Sequence, residues 1–115
     1  MKTKALKTYI AGPISGMEEE AFRNFAKAEE ELNSQGYAVL NPMIDAKFTL
    51  SFSYMDWIKH GLFLLDLADA IYMLPGWENS KGARLEHAYA ECRGIKIIYA
   101  EEPAGEENCL KKKSA

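Results

Sequence analysis

The stretch AIYMLPGWENSKGARLEHAYAECRGIKIIYA, residues 70–100, carries the pattern that decides the fold. Ala70 to Leu74 is short and apolar, and Pro75-Gly76 ends it, so it reads as a buried strand running into a loop. Ala83 to Arg93 reads as a helix stopped by Gly94. Ile95 to Ala100 is again apolar and β-branched, a second strand. Two strands separated by one helix make a crossover unit, and a crossover implies parallel pairing.

The same alternation extends towards the N-terminus. Thr8 to Ala11 predicts a strand that enters the loop GPISGM. Glu18 to Gln35 places Phe22, Phe25, Ala26, Ala28 and Leu32 on an apolar face, with glutamates between them and Gly36 as the stop, which predicts an amphipathic helix. Tyr37 to Leu40 is a further strand ended by Asn41-Pro42, and residues 43–52 form a loop or short turn. Ser53 and Asp56 have capping-box spacing at the start of a helix over Tyr54 to Leu67. The order predicts an α/β fold: a single-domain parallel sheet of four to five strands with helices on both faces, flavodoxin- or Rossmann-like. The domain spans residues 1–100, and residues 101–115 are a polar tail whose KKK at 111–113 reads as solvated. Ligands of such folds bind beyond the carboxyl ends of the strands, where strand order reverses. The loops at 12–17, 41–53 and 75–83 are expected there.

Composition narrows the function classes. The chain has 115 residues, 48% of them hydrophobic and 27% charged, enough for one packed core. A net charge of −3 argues against a broad nucleic-acid surface but allows a small anionic ligand held by a few groups. Cys92 and Cys109 have no metal-ligand spacing; Cys92 is expected as a small core residue of its helix. Neither a disulfide framework nor a membrane-length apolar run is present in the sequence, and a cytoplasmic setting with no membrane partner is expected.

The corner at 75–86 holds more chemistry than a turn requires. Gly76 and Gly82 permit tight turning and close approach to a ligand. Ser80, Lys81 and Gly82 would present N–H groups and a hydroxyl at a helix start, a natural anion site, with Glu86 one turn further on. A plain helix start with an acidic residue nearby would read the same way. The loop after Tyr9, with Gly12 and Gly16, resembles a phosphate loop only loosely; a loop needing two permissive residues is the simpler reading. His60 is a candidate proton donor or else a surface histidine, and His87 points about 100° away from Glu86 on a helix. Trp77 would either stack on a base or pack beneath its loop, and Asp45 is a candidate contact to sugar or base.

Taken together, two motifs resemble a known group. Y-x-x-G-x-I-x-G at Tyr9 to Gly16 and D-A-I-x-x-L-P-G-W-x-x-S-x-G-A-R-x-E at Asp69 to Glu86 are similar to the nucleoside 2-deoxyribosyltransferase superfamily, in particular its short domains of the DUF4406 type. The first motif also resembles the 2'-deoxynucleoside 5'-phosphate N-hydrolases. The resemblance covers about residues 8–100. It implies that Glu86 attacks C1' of a sugar and displaces its base, that Tyr9 orients that carboxylate, and that Ser80 contacts the 5' end. Ser80 beside Lys81 and Arg84 favours a nucleotide over a nucleoside. Gly12, Gly16, Gly76, Trp77 and Gly82 complete the expected binding set. No metal or organic cofactor is implied, and a homo-oligomer, a dimer or larger, is expected.

The chain departs from the pattern at two places, and one is Pro13 in the first loop, where the 2'-deoxynucleoside 5'-phosphate N-hydrolases have a serine. Characterised relatives carry an aspartate eight residues before the position of Asp69, where it assists the leaving base, and this chain has Gly61 there. Asp56 and Asp66 are nearby but lie on other turns of the same helix, and Asp69 reads as a cap of the helix-to-strand turn. The expected activity is cleavage or transfer at the N-glycosidic bond of a deoxynucleoside or ribonucleoside 5'-monophosphate. The rival expectation, which Gly61 supports, is a binding module that recognises a nucleotide without catalysis.

Overall fold

The computed structural model describes residues 5–43 and 51–100. Its elements, in chain order, are β1 (Lys7–Ala11), α1 (Glu18–Ser34), β2 (Ala38–Leu40), α2 (Tyr54–Asp66), β3 (Ala70–Met73), a 3-10 turn (Trp77–Asn79), α3 (Lys81–Arg93) and β4 (Lys96–Tyr99). The strands form one parallel sheet in the order β2-β1-β3-β4. Tyr9 lies opposite Leu40 on one side and Ile71 on the other, so β1 is the strand at which the order reverses. The α/β class, the parallel sheet and the helices on both faces are as the sequence predicts.

Strand alternation explains the two layers of core. Ile10 turns to the α1 side and packs with Phe25, Ala28, Leu32, Met43 and Leu74. Its neighbours Tyr9 and Ala11 turn the other way, to Leu65 of α2 and to Ala83 and Ala90 of α3. On α1 the buried stripe is Ala21, Phe25, Ala28 and Leu32, a helical repeat of one face. Complete burial of a side chain such as Phe25 contributes roughly 2–3 kcal/mol.

Two expected core positions fall outside these layers. Phe22 is 39% exposed and Ala26 is also exposed, because the sheet-facing stripe of α1 starts from Ala21 and leaves both on its flanks. Cys92 is exposed, contrary to the core position expected for it. The buried stripe of α3 is Ala83, Glu86 and Ala90, and two residues beyond Ala90 a helix has turned to its opposite side.

The ends of the elements hold the loops in place. Ser53 and Asp56 form the reciprocal capping box at α2, with the Asp56 backbone N–H donating to Ser53 Oγ at 3.1 Å and the Ser53 N–H to Asp56 Oδ2 at 2.9 Å. The helix α3 begins two residues before the expected Ala83, since Ser80 caps it. Asp69 accepts the Lys7 backbone N–H at 3.0 Å and so joins the entrances of β1 and β3. Across the back of the helical layer, Arg93 and the Tyr89 hydroxyl both donate to Asp66 Oδ1 at 2.7 Å, tying α3 to α2.

Candidate functional site

The carboxyl ends of β1 and β3 meet closely, and their meeting forms the floor of a cleft. A Cβ on Gly12 would stand 2.9 Å from the Leu74 Cβ, so the first loop leaves the sheet only because this residue has no side chain. The cleft opens at the reversal of strand order, where folds of this type place ligands. About 420 Å3 lies between its walls, counted out to the open mouth. The sheet contributes Tyr9, the first loop Gly12, Ile14 and Ser15, the segment after β2 Pro42, α2 Tyr54, Trp57 and Ile58, and the α3 corner Ser80, Gly82, Ala83 and Glu86.

Glu86 is the group that distinguishes this cleft. It is a carboxylate on the buried stripe of its helix, only 7% exposed. The hydroxyl of Tyr9, itself buried, donates to Glu86 Oε2 at 2.8 Å. Burial pushes the Glu86 carboxyl up from 4.5 to about 7, although the Tyr9 hydrogen bond acts in the opposite direction. Tyr9 is pushed well above its ordinary range, first by its own burial and then by the neighbouring carboxylate. Tyr9 therefore keeps its proton and serves as a fixed donor that aims Glu86. Among the described residues Oε1 takes no hydrogen bond and is left for a partner in the cleft.

Gly61 explains how this pair fits. A Cβ built there would collide with Glu86 Oε2 and lie 2.6 Å from the Tyr9 hydroxyl. The Tyr9–Glu86 pair thus occupies the space that a side chain at position 61 would need. An aspartate cannot stand there with the pair in this geometry. By contrast, a Cβ on Gly82 would meet Ile58 Cδ1 at 3.5 Å, an ordinary contact, so the packing there does not require a glycine.

At the corner, Ser80 Oγ accepts the Ala83 backbone N–H at 3.2 Å as the N-cap of α3. Acceptance of that bond leaves the hydroxyl proton for an oxygen in the cleft. Together with Gly82 and Ala83, Ser80 supplies the polar end of the cleft, at the positive end of a 13-residue helix. The ammonium of Lys81 lies over the Tyr54 ring, 5.8 Å from its centre, at the border of the same wall.

Other expected residues lie elsewhere. Gly16 and Gly76 hold left-handed turns, at φ 80° and 86°, and support the loops without lining the cleft. Trp77 is turned away: its ring stacks on His87 with centres 4.4 Å apart, and His87 Nε2 meets the Tyr99 hydroxyl at 2.9 Å. Arg84 donates to the Glu78 carbonyl at 2.9 Å and braces the 3-10 turn. His60 lies 2.9 Å from the Pro42 carbonyl and edge-on to Trp57, fastening α2 to the end of β2. Asp56 is held in the capping box and Asp66 in the Arg93 tie, both away from the cleft. Asp45, Cys109 and the lysines at 111–113 lie outside the described residues.

The sequence reading missed Tyr54, Trp57 and Ile58, which form a largely apolar wall opposite the α3 corner. Their signal was the repeat on α2, where positions 54, 57, 58 and 61 share one face. No group of three or more His, Cys, Asp or Glu side chains is placed to hold a metal among the described residues. Nor is any helix among them long and apolar enough to cross a membrane. The wall, the capped helix start and the buried carboxylate thus line one cleft, apolar on the α2 side and polar at the α3 corner.

No curated protein matches this chain. The family model described as "Domain of unknown function (DUF4406)" matches residues 6–99, which include every residue that lines the cleft, and the chain belongs to that family.

Proposed function

We propose that this protein is an N-glycosidase or glycosyl transferase acting on a nucleoside 5'-monophosphate, with Glu86 as the nucleophile. One observation carries the reading: a buried carboxylate, aimed by the Tyr9 hydroxyl at 2.8 Å, faces a cleft whose other end is a capped helix start. Departure of a base leaves oxocarbenium character at C1'. A carboxylate with a free oxygen stabilises that charge and can trap the sugar as a glycosyl ester. Water or a second base then attacks C1' and restores Glu86. Ser80 and the first N–H groups of α3 would hold the 5'-phosphate, while Tyr54 and Trp57 would flank the base.

The reading includes a cytoplasmic homo-oligomer. Met55, Phe63 and Leu67 are exposed along α2 and give a second copy an apolar surface to cover. Sedimentation at micromolar concentration tests this part, and a monomer would count against it.

The activity is tested by chromatography for free base after incubation with each deoxyribo- and ribonucleoside 5'-monophosphate. Release by the natural protein and none by a folded Glu86→Gln variant is expected. Equal release by both would remove Glu86 from the mechanism. The position of Gly61 favours a second reading, a module that binds the nucleotide without cleaving it. Saturable binding with no release of base would select that reading.

A further inference from the structure

We infer that the substrate's base is a cationic N-heterocycle, such as a pyridinium or an N7-alkylated purine, that leaves the sugar as a neutral molecule. The inference rests on the glycosidase reading above and names the class of substrate it would take.

Leaving-group chemistry is the first argument. A neutral purine or pyrimidine departs as an anion unless a proton reaches it, so enzymes that cleave such bonds use a second acid. Among the described residues Glu86 is the one carboxyl group lining the cleft, and no histidine or cysteine lines it. The hydroxyl of Tyr9 is already donated to Glu86. The place on α2 nearest the pair is Gly61, and the pair itself fills the space of any side chain there. With a cationic base no second acid is needed. Glu86 Oε1 forms a bond to C1', the C1'–N bond breaks, and its electron pair neutralises the ring nitrogen. Water then displaces the ester at C1', giving the free sugar phosphate, the restored carboxylate and one proton to solvent.

The wall of the cleft supplies the second argument. It presents the aromatic rings of Tyr54 and Trp57, and a carboxylate closes the inner end. Electron-rich faces and a buried negative charge attract a planar cation more than a neutral ring.

The test uses the full chain and matched pairs of substrates. Nicotinamide mononucleotide and 7-methylguanosine 5'-monophosphate are compared with guanosine 5'-monophosphate and the other neutral-base monophosphates, in ribo and deoxyribo forms. Rates measured with Glu86→Gln are subtracted, which removes the uncatalysed breakdown of the cationic compounds. We expect cationic bases to be released at least roughly 10²-fold faster than neutral ones, the usual worth of a general acid. Which of the two cations is cleaved identifies the source, pyridine or purine. A smaller ratio would overturn the inference and leave the glycosidase standing. Release from none of the compounds would overturn the glycosidase reading and this inference with it.

Discussion

Glu86 sits where a helix facing a sheet normally carries an apolar residue, and its cost should be measurable. Its carboxyl is raised from 4.5 to about 7, so between those values the folded chain holds a proton that the unfolded chain has released. Stability from this group is therefore full below about pH 4.5 and is lost as pH rises through about 7. The shift corresponds to about 3 kcal/mol at most. Glu86→Gln should accordingly be more stable than the natural protein at pH 8, with the gap closing towards pH 5, by urea unfolding at both values. A gap that is the same at both pH values would show that Glu86 is not raised. In the proposed mechanism only the carboxylate attacks, so kcat/KM should climb with pH through about 7. Gly61→Ala puts a methyl group against the Glu86 carboxylate and should destabilise by roughly 1–3 kcal/mol. Unchanged stability and activity in that variant would mean the pair is looser than its geometry indicates. The sequence singled out Glu86, Tyr9 and Gly61 through the motifs, but not that Gly61 touches the other two. That contact joins three elements, and spacing within one element does not reveal it.

The elements were readable where their chemistry is local. Ser53 and Asp56 form their box, Gly36 and Gly94 follow the helices they stop, and each strand lies within a residue or two of its apolar run. Ser80 was read as a ligand contact; the structure shows it as the N-cap that starts α3. Ser80→Ala should lose about 1 kcal/mol of stability through the unpaired Ala83 N–H, in addition to any loss of phosphate affinity. A variant of full stability would show that the cap is dispensable. Phe22 and Cys92 were misplaced for one reason: an apolar residue satisfies a helical repeat in the sequence whether its face meets the sheet or flanks it. Trp77 was drawn into the site by its motif, but its ring stacks on His87 and packs against the core, the second of the two roles read for it. Only the three-dimensional course of the 3-10 turn decides between the two.

At the scale of the molecule, the site follows from topology. The strand order β2-β1-β3-β4 reverses at β1, and the reversal opens a cleft between loops that β1 and β3 deliver to the same edge. The sequence predicted this place from the alternation of elements alone. The wall of Tyr54, Trp57 and Ile58 was not foreseen, because which face of α2 meets the cleft depends on how α2 packs against α3, which spacing within α2 does not reveal. The fold thus brings a buried carboxylate, the hydroxyl that aims it, a capped helix start and an aromatic wall to one opening. The most direct measurement is mass spectrometry of the protein after incubation with a 2'-fluoro-arabino nucleoside 5'-monophosphate carrying a cationic base, an analogue that slows breakdown of a glycosyl ester. We expect the mass of the sugar phosphate on the tryptic peptide LEHAYAECR, residues 85–93, localised to Glu86 and absent from Glu86→Gln. Base released with no adduct, or an adduct on another residue, would show that Glu86 is not the nucleophile.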